Sequence, residues 1–178
     1  MEETMRRLTR VVTVVPLALV AGLLTAPGSS AETTTLPPPQ VAWVGNIVVS
    51  HGGDAYILAK FRCYGGETAT HLWASVKQGG PDPTAEGSGV LSDAWYDTNY
   101  QYANDPAGQT IQCDGKWHVQ HFLLKRVDHP FGTDYVSGML KSGTAWVQFC
   151  VFDSSATDDN FPTGFAYDYG WKRIIATR

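Results

Sequence analysis

Three groups of residues in this chain have types and spacings that can do chemistry. The first is histidine: His51, His71, His118, His121 and His129. His118 and His121 stand three positions apart. That spacing brings two imidazoles together on a helix but sends them to opposite faces of a strand. The second is acidic: Asp153, Asp158, Asp159 and Asn160, with Asp168 beyond them. Calcium takes roughly six to eight oxygen ligands, and such a loop offers several, yet the spacing matches no EF-hand. Solvated loop acid is the plainer reading. The third is aromatic. "SDAWYDTNYQYAND" (92–105) sets Trp95, Tyr96, Tyr100 and Tyr102 among Asp93, Asp97, Asn99 and Asp105. Rings beside carboxylates and amides can hold sugars; the same letters also make an ordinary strand.

Nothing linear points to catalysis. The chain has no Gly-x-Ser-x-Gly elbow, no His-Glu-x-x-His and no phosphate-cradling glycine loop. A Ser-His-Asp triad leaves no linear signature, so a secreted hydrolase stays as a third alternative. No Cys-x-x-C or clustered Cys/His spacing supports zinc, and no cofactor motif is present. The expectation is a non-enzymatic protein without metal or cofactor.

Strands must position these residues. From Val41 onward apolar and polar residues mostly alternate, and no segment has helical periodicity. In "DAYILAKFRC", Ile57, Ala59, Phe61 and Cys63 share one face. In "THLWASVKQ", Leu72, Ala74 and Val76 face one way and Trp73, Ser75 and Lys77 the other. In "GTAWVQFCVF", Ala145, Val147, Phe149 and Val151 oppose Trp146, Gln148, Cys150 and Phe152. "TIQC" and "KWHVQHFLL" flank Asp114-Gly115, which predicts a hairpin. "VAWVGNIVVS" predicts a first strand, and "FAYDYGWKRIIAT" predicts one or two at the end. Seven or eight short strands predict a single β-sandwich domain over 41–178, with a small β-barrel as the alternative.

Parity then sorts the aromatics. Tyr96, Thr98, Tyr100 and Tyr102 fall on one side of their strand; Trp95, Asp97, Asn99 and Gln101 fall on the other. The acids therefore leave the tyrosines, and the stretch reads as a strand with a tyrosine ladder. If the strands of Trp73 and Trp146 are neighbours, their indoles mark an apolar patch on an outer face. Trp73, Trp146, Tyr96, Tyr100 and Tyr102 are thus the candidate binding surface.

The first 31 residues read as a secretory signal peptide. Arg6, Arg7 and Arg10 precede an apolar run, Val11 to Leu24, and "TAPGSSA" ends at Ala31. The run is shorter than the roughly 20 residues that span a bilayer. Removing the leader takes away three arginines and two glutamates and moves the formal net charge from −4 to −5. An acidic chain does not suit nucleic acid or an anionic membrane. "ETTTLPPPQ" (32–40) is a Thr/Pro-rich linker.

"AKFRCYGGETATHLWASVKQ", "CDGKWHV" and "KSGTAWVQF" together resemble small secreted actinobacterial domains of immunoglobulin-like build, many of unknown function. The resemblance covers roughly residues 45 to 150. It implies an immunoglobulin-like sandwich and a Cys63–Cys113 disulfide, and Cys150 departs from its pattern. Parity agrees with that pair, since Cys63 and Cys113 both fall on inward sets. Cys150 reads as an unpaired, buried thiol, with an intermolecular disulfide or another pairing as alternatives.

The functional expectation is a secreted, non-catalytic binding module. It would bind an extracellular protein or serve as a subunit of an extracellular assembly. A carbohydrate-binding module using exposed aromatics is the alternative.

Overall fold

A computed structural model of the chain describes residues 36–68, 72–98, 111–152 and 165–176. Tyr100, Tyr102 and the acidic residues of 153–160 lie outside the described residues, as do the leader and most of the linker. The described chain is all-β. Its strands are β1 (Gln40–Val49), β2 (Ala55–Arg62), β3 (Gly66–Thr68), β4 (Leu72–Gln78), β5 (Ala94–Asp97), β6 (Ile111–Cys113), β7 (His118–Arg126), β8 (Gly143–Phe152) and β9 (Phe165–Ala176). Among the described residues no helix is long and apolar enough to cross a membrane.

Seven strands close into a barrel in the order β1-β2-β7-β5-β4-β8-β9, and β3 and β6 form a separate two-stranded sheet. The expected sandwich is therefore not what forms; the barrel alternative is. Closure comes from the two ends of the domain. β1 pairs antiparallel with β2 on one side and parallel with β9 on the other, through Ile47↔Ile174 and Val49↔Ala176. Before Ile47 the two strands part, and side chains bridge them. The Asp168 carboxylate accepts from Val44 N–H at 2.9 Å, and the Asn46 amide oxygen accepts from Arg173 N–H at 3.2 Å. Alternation predicts one buried face per strand but not whether two sheets face each other or one sheet curls shut.

The inward sets of the alternating strands fill the barrel. Ile57, Ala59, Phe61, Ala74, Val76, Ala145, Val147, Phe149 and Val151 are all fully buried. Phe61, Phe122 and Phe149 meet at its centre with ring centroids 5.4 to 6.3 Å apart. Such tilted contacts suit the ring quadrupoles.

The predicted hairpin at Asp114-Gly115 forms as a turn but not as a hairpin. β6 pairs with β3, whereas β7 pairs with β2 and β5. The turn is a corner leading from the small sheet into the barrel. Gly115 sits at φ +80, and a Cβ there would lie 3.0 Å from the Tyr64 ring. Its N–H donates to Cys63 O at 2.8 Å. The Cys63–Cys113 disulfide ties the same corner to the end of β2.

Candidate functional site

β4 and β8 are neighbours, so Trp73 and Trp146 do share an outer face. They are not side by side: Trp73 lies opposite Cys150, and Trp146 lies opposite Lys77. Each is half-buried. The Trp73 indole N–H donates to the Asp97 carboxylate at 2.8 Å. That contact spends the Trp73 donor within the fold.

Much of the β4–β5 part of this face is roofed. Ser75, Lys77 and Asp97 have outward parity, yet all three are buried. The connection between β4 and β5 folds back over them. Lys77 Nζ donates to Ser88 Oγ at 2.9 Å and to Ala85 O at 3.2 Å. Desolvation lowers the Lys77 pKa, with Asp82 and Asp97 opposing. A serine beside a lysine of lowered pKa has the composition of a nucleophilic pair. Here Ser88 is buried and its hydroxyl donates to Pro83 O, so the pair holds the loop down. The Trp95 indole packs against Gly89 in the same roof, where a Cβ would come within 2.5 Å of the ring.

The open part of the face lies on β8 and β9. Trp146 opposes Trp171, Gln148 opposes Tyr169, Cys150 opposes Tyr167 and Phe152 opposes Phe165. Trp171 is 54% exposed, Tyr167 61% and Tyr169 36%. Their rings touch in two groups. Trp146 meets Trp171 edge-on at 5.7 Å, Tyr167 meets Tyr169 at 4.9 Å, and Phe165 stacks on Tyr167 at 5.3 Å. The Trp146 indole N–H is enclosed and has no hydrogen-bond partner among the described residues. Cys150 is free and buried beneath this row, sharing a 3.0 Å hydrogen bond with the Tyr169 hydroxyl. Burial pushes its thiol up to about 12. Burial raises the Tyr169 phenol as well, and its contact with the thiol adds to that. A thiol so protected is a poor nucleophile at neutral pH.

Tyr96 requires a correction. β5 is inserted between β7 and β4, which turns Tyr96 into the barrel interior, fully buried. Its hydroxyl donates to Met139 Sδ at 3.6 Å. Tyr96 is therefore a core residue and not part of a surface ladder.

The remaining sequence candidates do not converge. His118 binds Asp114 at 2.7 Å; this bond and the Lys116 N–H hold the Asp114 carboxyl down at about 2. His121 lies opposite Leu58 on β2. His129 contacts Thr133 O in the β7–β8 connection. Asp168 is engaged by Val44 N–H and, at 3.5 Å, by Lys172. Among the described residues no three His, Cys, Asp or Glu side chains gather as for a metal ion. A cleft of about 320 Å³ lies between Gly52, Asp54, Lys125, Arg126, Asp128 and Met139. Its cations are neutralised in place, Lys125 by Asp54 and Arg126 by Asp128, each at 2.9 Å.

Sequence reasoning passed over Tyr167, Tyr169 and Trp171, although "FAYDYGW" carries the signal. Its aromatics alternate strictly, and inward aromatics would leave Asp168 and Lys172 outside as an unremarkable polar face. Only the barrel closure shows that the aromatic parity is the outer one. Compared with known proteins, the chain matches no protein-family model and no curated protein.

Proposed function

We propose that the protein is a secreted, non-catalytic binding module that meets an extracellular protein through the outer face of β8 and β9. The observation that carries this reading is the row Trp146, Trp171, Tyr169, Tyr167, of which three rings stand well exposed. Tyrosine and tryptophan offer large contact area at low entropic cost, and they are enriched where proteins dock. The rings lean on each other at interplanar angles of 42° and 66°, so no flat shared platform is offered to a sugar. A protein surface with matching relief fits such a row better than a planar ring does. Secretion is supported by the leader pattern of residues 1–31 and by a disulfide, a bond that persists outside the reducing cytosol. Kinship with small secreted immunoglobulin-like domains belongs to the same proposal and rests on the Cys63 and Cys113 motifs.

The test is affinity capture from native culture medium with wild type, Trp171→Ser and Tyr167→Ser as baits. A discrete partner held by wild type and lost by both variants at unchanged melting temperature is the expected result. A partner retained equally by all three would sink this reading.

A further inference from the structure

A second exposed aromatic surface lies around β2, flanked by β1 and the start of β7. Lys60 and Arg62 both point outward from β2. Trp43 on β1 lies directly across from Lys60, and Val119 on β7 flanks it on the other side. Trp117, in the corner before β7, receives both cations. The Arg62 guanidinium lies 5.0 Å from its ring centroid and Lys60 Nζ 5.6 Å. Trp43 is 40% exposed and Trp117 41%.

The charges here are unbalanced. Lys116, Lys125, Arg126 and Lys172 each have a carboxylate partner. Among the described residues, Lys60 and Arg62 form no ion pair. Arg62 instead donates to the neutral Gln40 amide oxygen at 2.8 Å, and its Nε–H is enclosed without any acceptor. Asp114, a carboxylate at this corner, is already held by His118 and Lys116. A chain of formal net charge −4 thus leaves two adjacent cations uncompensated, between two exposed indoles. Stacking on a ring holds the cations in place without neutralising them.

We propose that this face binds a carboxylated polysaccharide, with Arg62 and Lys60 taking the carboxylates, Trp117 holding the two cations in place and Trp43 packing on a sugar ring. The guanidinium fork matches a carboxylate in shape, and the ammonium supplies a second point charge. Two side chains two residues apart on a strand stand about 6.6 Å from each other. That spacing suits a ligand carrying repeated charge better than one carrying a single charge. The Trp43 indole decides the class: a pyranose has an apolar face of C–H bonds that lies flat on an aromatic ring, and an acidic peptide has none. This site is independent of the row on β8 and β9.

The experiment is calorimetric titration of the secreted protein with polygalacturonate, with dextran as the uncharged sugar and poly-L-glutamate as the charged non-sugar. Polygalacturonate is expected to bind, to weaken with added salt, and to exceed both controls at least tenfold in affinity. Arg62→Gln with Lys60→Gln is expected to lower affinity at least tenfold, and Trp117→Ala at least fivefold. Lys60→Gln alone is the mild variant, should the Arg62 change disturb the corner; it is expected to lower affinity severalfold at wild-type melting temperature. Trp171→Ser is expected to bind polygalacturonate as wild type does, which separates this site from the protein-docking row. Equal affinity for dextran, equal affinity for poly-L-glutamate, or no binding of polygalacturonate at low salt would each overturn the proposal.

Discussion

The two aromatic faces of the barrel differ in what lies between their rings. On β8 and β9 ring meets ring: Trp146 with Trp171, Tyr167 with Tyr169. Around β2 cation meets ring: Arg62 and Lys60 over Trp117. Among the described residues each face also encloses one donor without an acceptor, the Trp146 indole N–H and the Arg62 Nε–H. Buried groups of that kind are rare and are costly to leave unmade. The lesson is that exposed aromatics alone do not define a ligand. The neighbours decide whether a face offers apolar area or oriented charge, and the two respond differently to salt, truncation and pH.

The largest expected effect would break the β2 face first. Replacing Cys63 and Cys113 by serine opens a loop with a sequence separation of 50. In the chain-entropy model that costs about 4 kcal/mol. Chemical denaturation of the double variant should show this loss, and polygalacturonate binding should fall along with it. A loss under about 1 kcal/mol would mean that the corner is held by packing alone.

Trp146→Ala tests the other face. It removes the half-buried partner of Trp171 and should cost about 2 kcal/mol, below the range for a fully buried tryptophan. Trp171→Ser should leave stability nearly unchanged yet weaken the protein partner by about 2 kcal/mol, as an interface anchor does. A stability loss in Trp171→Ser as large as that in Trp146→Ala would make the row a structural brace and not a docking surface.

Salt sharpens the contrast. Raising ionic strength should weaken the β2 face and leave the β8–β9 face almost unaffected, because screening acts on charge and not on apolar contact. Thiol labelling probes the floor beneath the aromatic row. With its thiol pushed up to about 12 by burial, Cys150 should resist alkylation at neutral pH until the protein unfolds. Rapid native labelling would show that β9 lifts away from β8.

The smallest effect concerns Asp114. Its carboxyl is held at about 2, below the ordinary value of 3.8, by His118 and the Lys116 N–H. A depressed folded pKa adds stability above the unfolded value, and that contribution is lost as pH falls through about 2. Acid titration of Asp114→Asn should lack this slight loss below the ordinary carboxylate range. The group is exposed, so the difference from wild type should be slight.

Much of this was legible along the chain. The inward sets of β2, β4 and β8 agree with alternation residue by residue, because a half-buried strand has to alternate. The adjacency of β4 and β8, on which the Trp73–Trp146 face depended, was open in the sequence and is settled by their pairing. Other features were not legible. Tyr96 and the tyrosines of β9 have similar alternating settings, yet Tyr96 fills the core and Tyr167 faces water. Lys77, Ser75 and Asp97 have the parity of surface residues, and a loop distant from any periodic pattern buries them.

By itself the sequence determined the all-β class and the inward face of the alternating strands, and it set Cys63 and Cys113 at inward parity. These follow from short-range rules, alternation and turn chemistry; the pairing of the two cysteines was implied only by the family resemblance and is shown by the structure. Tertiary structure alone decided that the sheet closes as a barrel, that the final strand turns its aromatics outward, and that Arg62 and Lys60 come to lie over Trp117. Closure depends on β1 meeting β9 across more than a hundred residues, and no local pattern encodes which distant edge a strand will find.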